Sequence, residues 1–331
     1  MYLVAPGESK VMENVKIIGC GDCPDSRKER MGSFAKHVFK AALNVDADIY
    51  HFHDPEMLKY AVKLSKMGKK VIFDSHEDVP DQIQDKPWIP KPMRKPMAKA
   101  YTIYETQHVK KLAGVITSTD YIKSKFEGRA RMVESIKNYP KLDDIIFQTN
   151  AFEDRARVAC YVGGISTDRG ETILLEAMKA MEGYELKFAG STINREVKNT
   201  KPANVTYLGY LDRAGVNDLY ANSRVGICVL RPTANYIRSL PIKMFEYMAA
   251  GLPIVASDFP VWRDIIGAEN CGTTVAFDDI EGIRKAIKYY IDNPNEAQEA
   301  GKRGRKAVLE KYNWANEADK LIAFYNKIEA L

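Results

Sequence analysis

Two hydrophobic periods alternate along this chain, and the alternation is most regular from Arg157 onward. Runs that are apolar at almost every position predict buried strands there: RVACYVGGI, YELKFAG, VTYLGYL, VGICVL, PIVAS and TTVAF. Between them, ETILLEAMKAM and MFEYMAA carry apolar residues at the spacing of helices. Strands that are apolar on both faces belong in a parallel sheet covered by helices. The second half is therefore predicted to be a doubly wound α/β domain, with its ligand at the carboxyl ends of the strands.

The first half repeats this alternation. KIIG, DADIYHFHD, KKVIFDSHED and GVITST predict strands, and MLKYAVKLSKMG predicts a helix between two of them. An irregular stretch at residues 138–157 separates the halves, and the last residues have the apolar spacing of a helix. We therefore expect two Rossmann-like domains, at residues 1–145 and 146–313, followed by a terminal helix at residues 314–331.

Composition is typical of a globular protein. The chain has 331 residues, of which 45% are hydrophobic and 28% charged, and no apolar run approaches the length of about 20 residues that spans a bilayer. The amino terminus lacks the pattern of a secretory signal. The five cysteines form no even framework, and the pair Cys20 and Cys23 has no second pair to complete a zinc site. We expect a cytoplasmic protein without a structural metal.

Positive charge is concentrated in the first half. Residues 1–150 contain 25 Lys and Arg against 20 Asp and Glu, so they carry the whole net charge of +5. Within them, KPWIPKPMRKPMAK mixes cations with Trp and Met, a combination that suits an anionic membrane surface or forms a solvated basic loop. A peripheral membrane contact would use Lys86, Lys91, Arg94, Lys95 and Lys99. The modest overall charge and the lack of a recognised module argue against nucleic acid as a partner.

The most informative segment is PIKMFEYMAAGLPIVASD, at residues 241–258. It predicts a helix with one carboxylate, Glu246, in an apolar pattern; Gly251 ends the helix, and a buried strand follows. A helix that presents one inward carboxylate beside a parallel strand is suited to bind vicinal hydroxyls such as those of a ribose.

This segment resembles the nucleotide-sugar site of family 4 glycosyltransferases, which are retaining enzymes of the GT-B architecture. The resemblance covers nearly the whole chain. It implies two Rossmann-like domains that face a cleft, and transfer of a sugar from a nucleotide diphosphate sugar to an acceptor hydroxyl, without a metal or another cofactor. We expect a UDP-linked rather than a GDP-linked donor, a lipid-linked or saccharide acceptor, and a setting in surface polysaccharide biosynthesis.

The resemblance also implies donor-binding residues. YVGGISTDRG is similar to a family loop in which an Arg and a Lys bind the donor diphosphate; here these positions are Gly164 and Arg169. Glu246 matches the glutamate that contacts the ribose, whereas the sugar-contacting glutamate of the family falls on Arg238. Ser239–Met248 fits a bacterial variant of the motif in which Lys243 is a diphosphate partner, and Lys243 would offset the cation missing at Gly164.

Weaker similarities add further candidates. The backbone of Ala249 and Gly251 and the loop that contains Leu211 resemble the parts that approach the phosphates and the base, although a small residue there also serves helix packing.

Histidines follow two predicted strands of the first half. His53 and His76 lie just beyond strand ends, and in the family a histidine after the second of these strands contacts the transferred sugar. His76 is therefore the candidate catalytic residue, with His53, Glu77 and Asp78 on the acceptor side. The HFHD sequence also has the look of a metal pair, but the sequence offers no third ligand of clear spacing, so we expect no metal.

Family members normally begin with a strand, a loop and a helix before the segment that YLVAP resembles. We therefore expect a first domain that lacks this unit. The alternatives are a non-catalytic nucleotide-sugar binder or one subunit of a split transferase; a sugar-nucleotide epimerase of GT-B shape is a third.

Overall fold

Three sheets contain the strands of the protein, as a computed structural model of residues 1–86, 88–147, 152–191 and 201–331 describes them. The chain divides into two units. Unit 1 comprises Met1–Ile136 and Lys320–Leu331, and unit 2 comprises Lys137–Asp319. Part of the stretch expected to separate the halves, residues 148–151, lies outside the described residues.

Unit 1 holds the first thirteen elements, and a short π-helical turn at Arg30–Phe34 joins α1 to α2. The elements are β1 (Tyr2–Ala5), β2 (Lys10–Met12), β3 (Val15–Gly19), α1 (Arg27–Glu29), α2 (Ala35–Leu43), β4 (Ile49–Phe52), α3 (Leu58–Lys66), β5 (Lys70–Ser75), α4 (Val79–Asp85), α5 (Lys91–Val109), β6 (Gly114–Thr117), α6 (Asp120–Phe126) and β7 (Val133–Ser135).

The strands of unit 1 form two sheets. Strands β4, β5, β6 and β7 lie side by side in chain order and are all parallel; sequence analysis predicted the first three and missed β7, a short strand with the sequence VES. The KIIG strand is different, because it lies in β3 and pairs with β1 in parallel and with β2 in antiparallel fashion, in a separate three-stranded sheet. Sequence analysis missed β2, whose three residues are all exposed and carry no apolar pattern.

Unit 2 contains the doubly wound domain. Its elements are β8 (Val158–Val162), α7 (Glu171–Met178), β9 (Glu185–Ala189), β10 (Val205–Gly209), α8 (Arg213–Ala221), β11 (Val225–Cys228), α9 (Ala234–Ile237), α10 (Ile242–Ala250), β12 (Ile254–Ser257), α11 (Pro260–Glu269), β13 (Gly272–Val275), α12 (Ile280–Asp292) and α13 (Pro294–Glu310). The last helix, α14 (Trp314–Glu329), begins in unit 2, and its residues from Lys320 onward belong to unit 1.

The sheet of unit 2 is six-stranded and parallel throughout, in the order β10-β9-β8-β11-β12-β13. This is the Rossmann order, in which the direction of winding changes between the first and fourth strands, here β8 and β11. Strands β8, β11 and β12 are almost wholly buried, as is usual for a sheet that is covered on both faces. A ligand of such a domain binds outside the carboxyl ends of the strands at that point.

The helices and the cysteines were also compared with the expectations from the sequence. Among the described residues, no helix is both long and apolar enough to cross a bilayer. All five cysteines are free thiols.

Candidate functional site

The carboxyl end of β8 leads into a tightly turned glycine loop at the switch point of unit 2. Gly163 has a φ of +122°, which a side chain would strain, and its N–H donates to the carbonyl of Ala189 at 2.8 Å. A Cβ at Gly190 would lie 2.0 Å from the carbonyl oxygen of Gly163. The loop backbone therefore stays close to the end of β9 and leaves room on its other side.

The ammonium group of Lys243 lies in the space next to Gly163. Lys243 is the second residue of α10 and is 8% exposed. Its Nζ lies 3.5 Å from the centroid of the Tyr161 ring and has no hydrogen-bond partner within the described part of the chain. A Cβ at Gly163 would come within 3.2 Å of that Nζ. Burial, together with the positive charge of Arg169, lowers the pKa of Lys243 to about 8. A buried ammonium without a carboxylate or carbonyl partner is costly unless an anion occupies the site.

Arg169 brings a second cation to the same loop. A Cβ at Gly164 would lie 2.8 Å from Nη1 of Arg169, so the missing side chain at Gly164 makes space for the guanidinium. Arg169 ends the short helical turn that precedes α7. Neither Arg169 nor Lys243 forms an ion pair with any residue that the structure describes. Two neighbouring cations without a counter-charge form a site for a dianion.

Glu246 lies one helical turn beyond Lys243 on α10 and is 7% exposed. Tyr220 donates its hydroxyl hydrogen bond to Oε2 at 3.0 Å, and Nη2 of Arg213 forms an ion pair with Oε1 at 3.0 Å. Each carboxylate oxygen still has a lone pair for a hydroxyl donor. Burial raises the pKa of Tyr220 well above its usual value, so the phenol stays protonated and continues to donate.

A cavity of about 320 Å³ opens beside this carboxylate. Its walls combine aromatic, aliphatic and charged side chains: Tyr139, Pro140, Lys141, Asp144, Ile145, Arg213, Ile242, Glu246 and Trp314. Sequence analysis missed Arg213 and Tyr220 as partners of Glu246, because both come from α8, more than twenty residues earlier in the chain.

Leu211 precedes α8 and packs against the hydrophobic core of unit 2. The next residue, Asp212, caps the helix by accepting a hydrogen bond from the N–H of Gly215 at 2.8 Å. The cap fixes the start of α8 and thereby the position of Arg213, so that this loop leads directly to the partner of Glu246.

Ala249 and Gly251 lie at the other end of α10 from Lys243. The carbonyl of Ala249 accepts a hydrogen bond from Arg305, and a Cβ at Gly301 would lie 1.9 Å from the carbonyl oxygen of Gly251. Gly251 also ends α10 in the left-handed region, with a φ of +77°. These contacts give both residues a role in packing α10 against α13, while an approach of their backbone to the donor stays a prediction.

Trp262 is hydrogen-bonded to the segment that leads into α10. Its ring is fully buried, and its Nε1–H donates to the carbonyl of Ser239 at 2.7 Å. Ser239 in turn donates its hydroxyl to the carbonyl of Tyr236 at 3.0 Å. Arg238, which occupies the position of the sugar-contacting glutamate, ends α9 in the same segment.

Unit 1 carries a cluster of histidines around one carboxylate. Asp74 in β5 places Oδ2 3.2 Å from Nε2 of His51, 3.3 Å from Nδ1 of His53 and 3.4 Å from Nε2 of His76. His53 Nδ1 and His76 Nε2 lie 3.1 Å apart, and Nδ1 of His51 is hydrogen-bonded to the hydroxyl of Tyr325 in α14. The parallel pairing of β4 with β5 brings these ends together. Sequence analysis named His53 and His76 but missed Asp74, which lies inside a buried apolar strand.

The contacts in this cluster shift the pKa values of Asp74 and His76. Burial works to raise the pKa of the Asp74 carboxyl, but the hydrogen bonds from the three histidines outweigh it and hold that pKa well below its usual range. The hydrogen bond to Asp74 raises the pKa of His76 above its ordinary value. Asp74 is therefore ionised at neutral pH.

Glu77 and Asp78 have local partners. Asp78 accepts a hydrogen bond from the N–H of Asp81 at 2.9 Å and so caps α4, and its other oxygen lies 3.6 Å from Lys125. Glu77 accepts a hydrogen bond from the side-chain amide of Gln82. The cap and the ion pair give Asp78 a structural role, and contacts of Glu77 and Asp78 with an acceptor stay predictions.

Known proteins are similar to part of this chain in sequence. A family model described as "Glycosyl transferase-like" matches residues 169–323. Over 97 residues the chain is 29% identical to an alpha-maltose-1-phosphate synthase of Mycolicibacterium smegmatis, a match that covers 28% of this chain and 25% of that relative. Only a quarter of the relative's length is thus represented in the match.

Solved structures are similar over far more of the chain. A sucrose-phosphate synthase of Thermosynechococcus elongatus aligns with a TM-score of 0.80 at 16% identity, over 99% of this chain and 89% of that one. The Anabaena protein Alr3699/HepE, solved in complex with UDP and glucose, aligns with a TM-score of 0.71 at 11% identity, over 94% of this chain and 86% of that one. Identities this low are informative about the fold alone. The chain therefore has the GT-B fold of these glycosyltransferases, an α/β architecture of two Rossmann-like domains.

Proposed function

We propose that this protein is a retaining glycosyltransferase of the family 4 type, which takes its sugar from a nucleotide diphosphate donor. The observation that carries the proposal is the pair of cations Lys243 and Arg169, which converge on the Gly163–Gly164 loop at the switch point and form no ion pair with any residue that the structure describes. A donor diphosphate supplies the missing anion. The fold and the partial match to a glycosyltransferase family model favour a nucleotide sugar over other diphosphates.

In this proposal α10 binds two parts of the donor. Lys243, in its first turn, binds the diphosphate, and Glu246, one turn later, accepts hydrogen bonds from the ribose hydroxyls. The two positions are three residues apart, which puts them about 4.5 Å apart along the helix axis. Tyr220 and Arg213 hold the carboxylate in place for this contact.

The chemical step breaks the bond between the anomeric carbon and the β-phosphate oxygen. A bond from that carbon to the acceptor oxygen forms with the same anomeric configuration, and the proton of the acceptor hydroxyl passes to the leaving β-phosphate oxygen. Arg169 and Lys243 stabilise the negative charge that develops on the leaving diphosphate, without a metal at that position. His76 is proposed to orient the sugar or the acceptor.

We further propose UDP as the nucleotide, since HepE of the same fold was solved with UDP and with UDP-glucose. The acceptor is proposed to be a saccharide or lipid-linked saccharide of surface polysaccharide assembly, used on the cytoplasmic side of a membrane. The start of α5 supports a membrane contact: Trp88, Met93 and Met97 are exposed, as are Lys91, Lys95 and Lys99. Arg94 is an exception, because it donates to the carbonyls of Ile89 and Gln84 and is thus engaged in structure.

A transfer assay tests the enzymatic part of the proposal. The full chain is incubated with UDP-linked and GDP-linked sugars and a panel of saccharide and lipid-linked acceptors, and the anomeric configuration of the product is determined by NMR. Product with the donor's configuration, lost in Glu246→Gln but not in Lys302→Met, supports the proposal. Nucleotide binding without transfer to any acceptor would instead indicate a non-catalytic nucleotide-sugar binder.

Vesicle sedimentation tests the membrane contact. Binding to vesicles with anionic lipids that weakens in the double variant Lys91→Glu, Lys95→Glu supports it, because each cation near such a surface contributes about 1 kcal/mol. Equal sedimentation with neutral and anionic vesicles would argue for a solvated basic segment.

A further inference from the structure

We infer that unit 1 contains a binding site for a divalent transition-metal ion, formed by His53, Asp74 and His76. The three ligand atoms are Nδ1 of His53, Oδ2 of Asp74 and Nε2 of His76, which lie 3.1, 3.3 and 3.4 Å from one another. These distances form a nearly equilateral triangle of one oxygen and two imidazole nitrogens.

The size of this triangle fits a metal ion. Zinc bonds to histidine nitrogen and to carboxylate oxygen are about 2.0–2.2 Å long, and tetrahedral angles then separate neighbouring ligand atoms by about 3.3–3.5 Å. The three observed separations lie at or just below this range, so an ion can sit over the triangle without movement of the backbone. Two histidines and one carboxylate, with the remaining position open, are the ligand set of several catalytic zinc and iron sites.

Hydrogen bonding alone accounts poorly for the cluster. Oδ2 of Asp74 faces three imidazole nitrogens, from His51, His53 and His76, but a carboxylate oxygen has only two lone-pair sites for donors. In addition, Nδ1 of His53 faces Nε2 of His76, which is favourable only when one of the two carries a proton. An ion removes both difficulties, because it accepts the lone pairs of His53 and His76 and leaves His51 as the donor to Asp74.

His51 and Tyr325 orient this carboxylate. Because the ionised Asp74 can only accept, Nε2 of His51, 3.2 Å away, carries the proton of the neutral ring, and Nδ1 accepts a hydrogen bond from the hydroxyl of Tyr325. Hydrogen bonds of this kind position a metal-binding carboxylate and raise the affinity of the site. His51 Nε2 also lies within 4.8 Å of the ligand atoms of His53 and Asp74, so the ion would have this ring as its nearest further neighbour.

The solvent exposure of the site and the chemistry of its ligand atoms indicate which type of ion it would bind. The side chains of His53 and His76 are 59% and 40% exposed, so an ion reaches the site directly from solvent and keeps a position for water. Imidazole nitrogens select zinc, cobalt or nickel over magnesium and calcium, which prefer oxygen ligands. The site lies in unit 1 and does not depend on the diphosphate site proposed in unit 2. It does share His76 with the role proposed above, and an ion bound to Nε2 would take over the contact of this residue with the sugar or the acceptor.

Cobalt absorption spectroscopy and zinc calorimetry on the tag-free full chain test this inference. We expect one Co²⁺ per chain, with the intense visible bands of a four-coordinate ion, displaced by Zn²⁺. Affinity should fall at least tenfold in His53→Ala and in His76→Ala, and should be unchanged in His37→Ala, a matched change of an exposed histidine on α2. His51→Ala and Tyr325→Phe should lower it by a smaller factor, since they act through Asp74.

Two outcomes would overturn the inference. One is the absence of stoichiometric binding of Co²⁺ and Zn²⁺ to the wild-type chain. The other is binding that survives in both His53→Ala and His76→Ala, or that disappears in Cys23→Ser, since Cys23 is an exposed thiol able to bind these ions elsewhere. His53 is largely exposed, so His53→Ala should fold normally; a circular dichroism melt of each variant verifies this.

Discussion

The ammonium group of Lys243 lies 3.5 Å from the ring centroid of Tyr161, inside unit 2, and donates no hydrogen bond to any residue that the structure describes. The ring's π-face attracts the cation, but this contact is weaker than the hydration that burial removes. Burial of the charged Lys243 side chain therefore costs free energy. It takes place at the switch point of the sheet, where a ligand of this fold binds. Such a cost is typical of binding sites that are organised for an absent charged ligand.

Replacing Lys243 should stabilise the unliganded protein. Its pKa is lowered from 10.5 to about 8, so keeping the proton at neutral pH costs up to about 3 kcal/mol in the folded state. Lys243→Met should recover part of this cost and raise the free energy of unfolding by about 1–3 kcal/mol at pH 7. Urea unfolding measures the change, with Lys302→Met as the surface control. A loss of stability in Lys243→Met would mean that the lysine serves the fold.

Nucleotide affinity should depend on the protonation of Lys243. The pKa of this group in the free protein is about 8, and the diphosphate binds the charged form, so affinity should be constant below pH 8 and fall above it. Calorimetric titration of UDP from pH 7 to pH 9.5 measures the profile. In Lys243→Arg the side chain keeps its charge, and the decline should disappear. An identical decline in that variant would assign the titration to another group.

Gly164→Ala should weaken donor binding without unfolding the protein. The added methyl would lie 2.8 Å from Nη1 of Arg169, the far end of a flexible side chain, which therefore moves out of the loop. We expect a loss of UDP affinity of about tenfold, the effect of one charge-assisted contact. Gly267→Ala is the control, because a Cβ there meets nothing within 4 Å. Equal affinity in Gly164→Ala and the wild type would show that the guanidinium position is irrelevant to the nucleotide.

The ion pair between Glu105 and Arg129 should be a major support of unit 1. Glu105 is 2% exposed, and Nη2 of Arg129 lies 2.6 Å from its carboxylate. Burial raises the pKa of Glu105 despite this partner. Arg129→Ala should therefore lower the free energy of unfolding by about 3–5 kcal/mol at pH 7, with a smaller loss at pH 5, where Glu105 can take up a proton.

Chemical denaturation at the two pH values measures this loss. Lys302→Met, which removes an exposed ion pair with Glu299, should change stability by less than about 0.5 kcal/mol. If Arg129→Ala were as mild as this control, the buried pair would contribute little, and the carboxylate would have to find another donor or water.

Local sequence pattern was enough to predict the domain fold of unit 2. Its strands are short and mostly apolar, and a helix follows β8, β10, β11, β12 and β13, so the parallel sheet follows from the sequence between Val158 and Val275. The three-stranded sheet of unit 1 was not predicted, because the exposed strand Lys10–Met12 has no apolar period and its pairing depends on a turn. The pattern thus predicts buried strands and misses exposed ones.

Part of the candidate site was predictable for a physical reason. A lysine in the first turn of a helix is unfavourable beside the helix dipole, so the sequence position of Lys243 by itself indicates a nearby anion. The contact of Arg213 with Glu246 and the meeting of Asp74 with three histidines were not, because they join side chains from different elements. Long-range pairs of this type arise from the packing of the sheet, which a local pattern does not specify.

Calorimetric titration of the wild-type chain and Lys243→Met with UDP, GDP and ADP at pH 7 is the most direct test of the central claim, that Lys243 and Arg169 form a site for a donor diphosphate. The account predicts micromolar binding of UDP by the wild type, a loss of at least tenfold in Lys243→Met, and unchanged binding in Lys302→Met. Failure of all three nucleotides to bind the wild type, or full affinity in Lys243→Met, would contradict it.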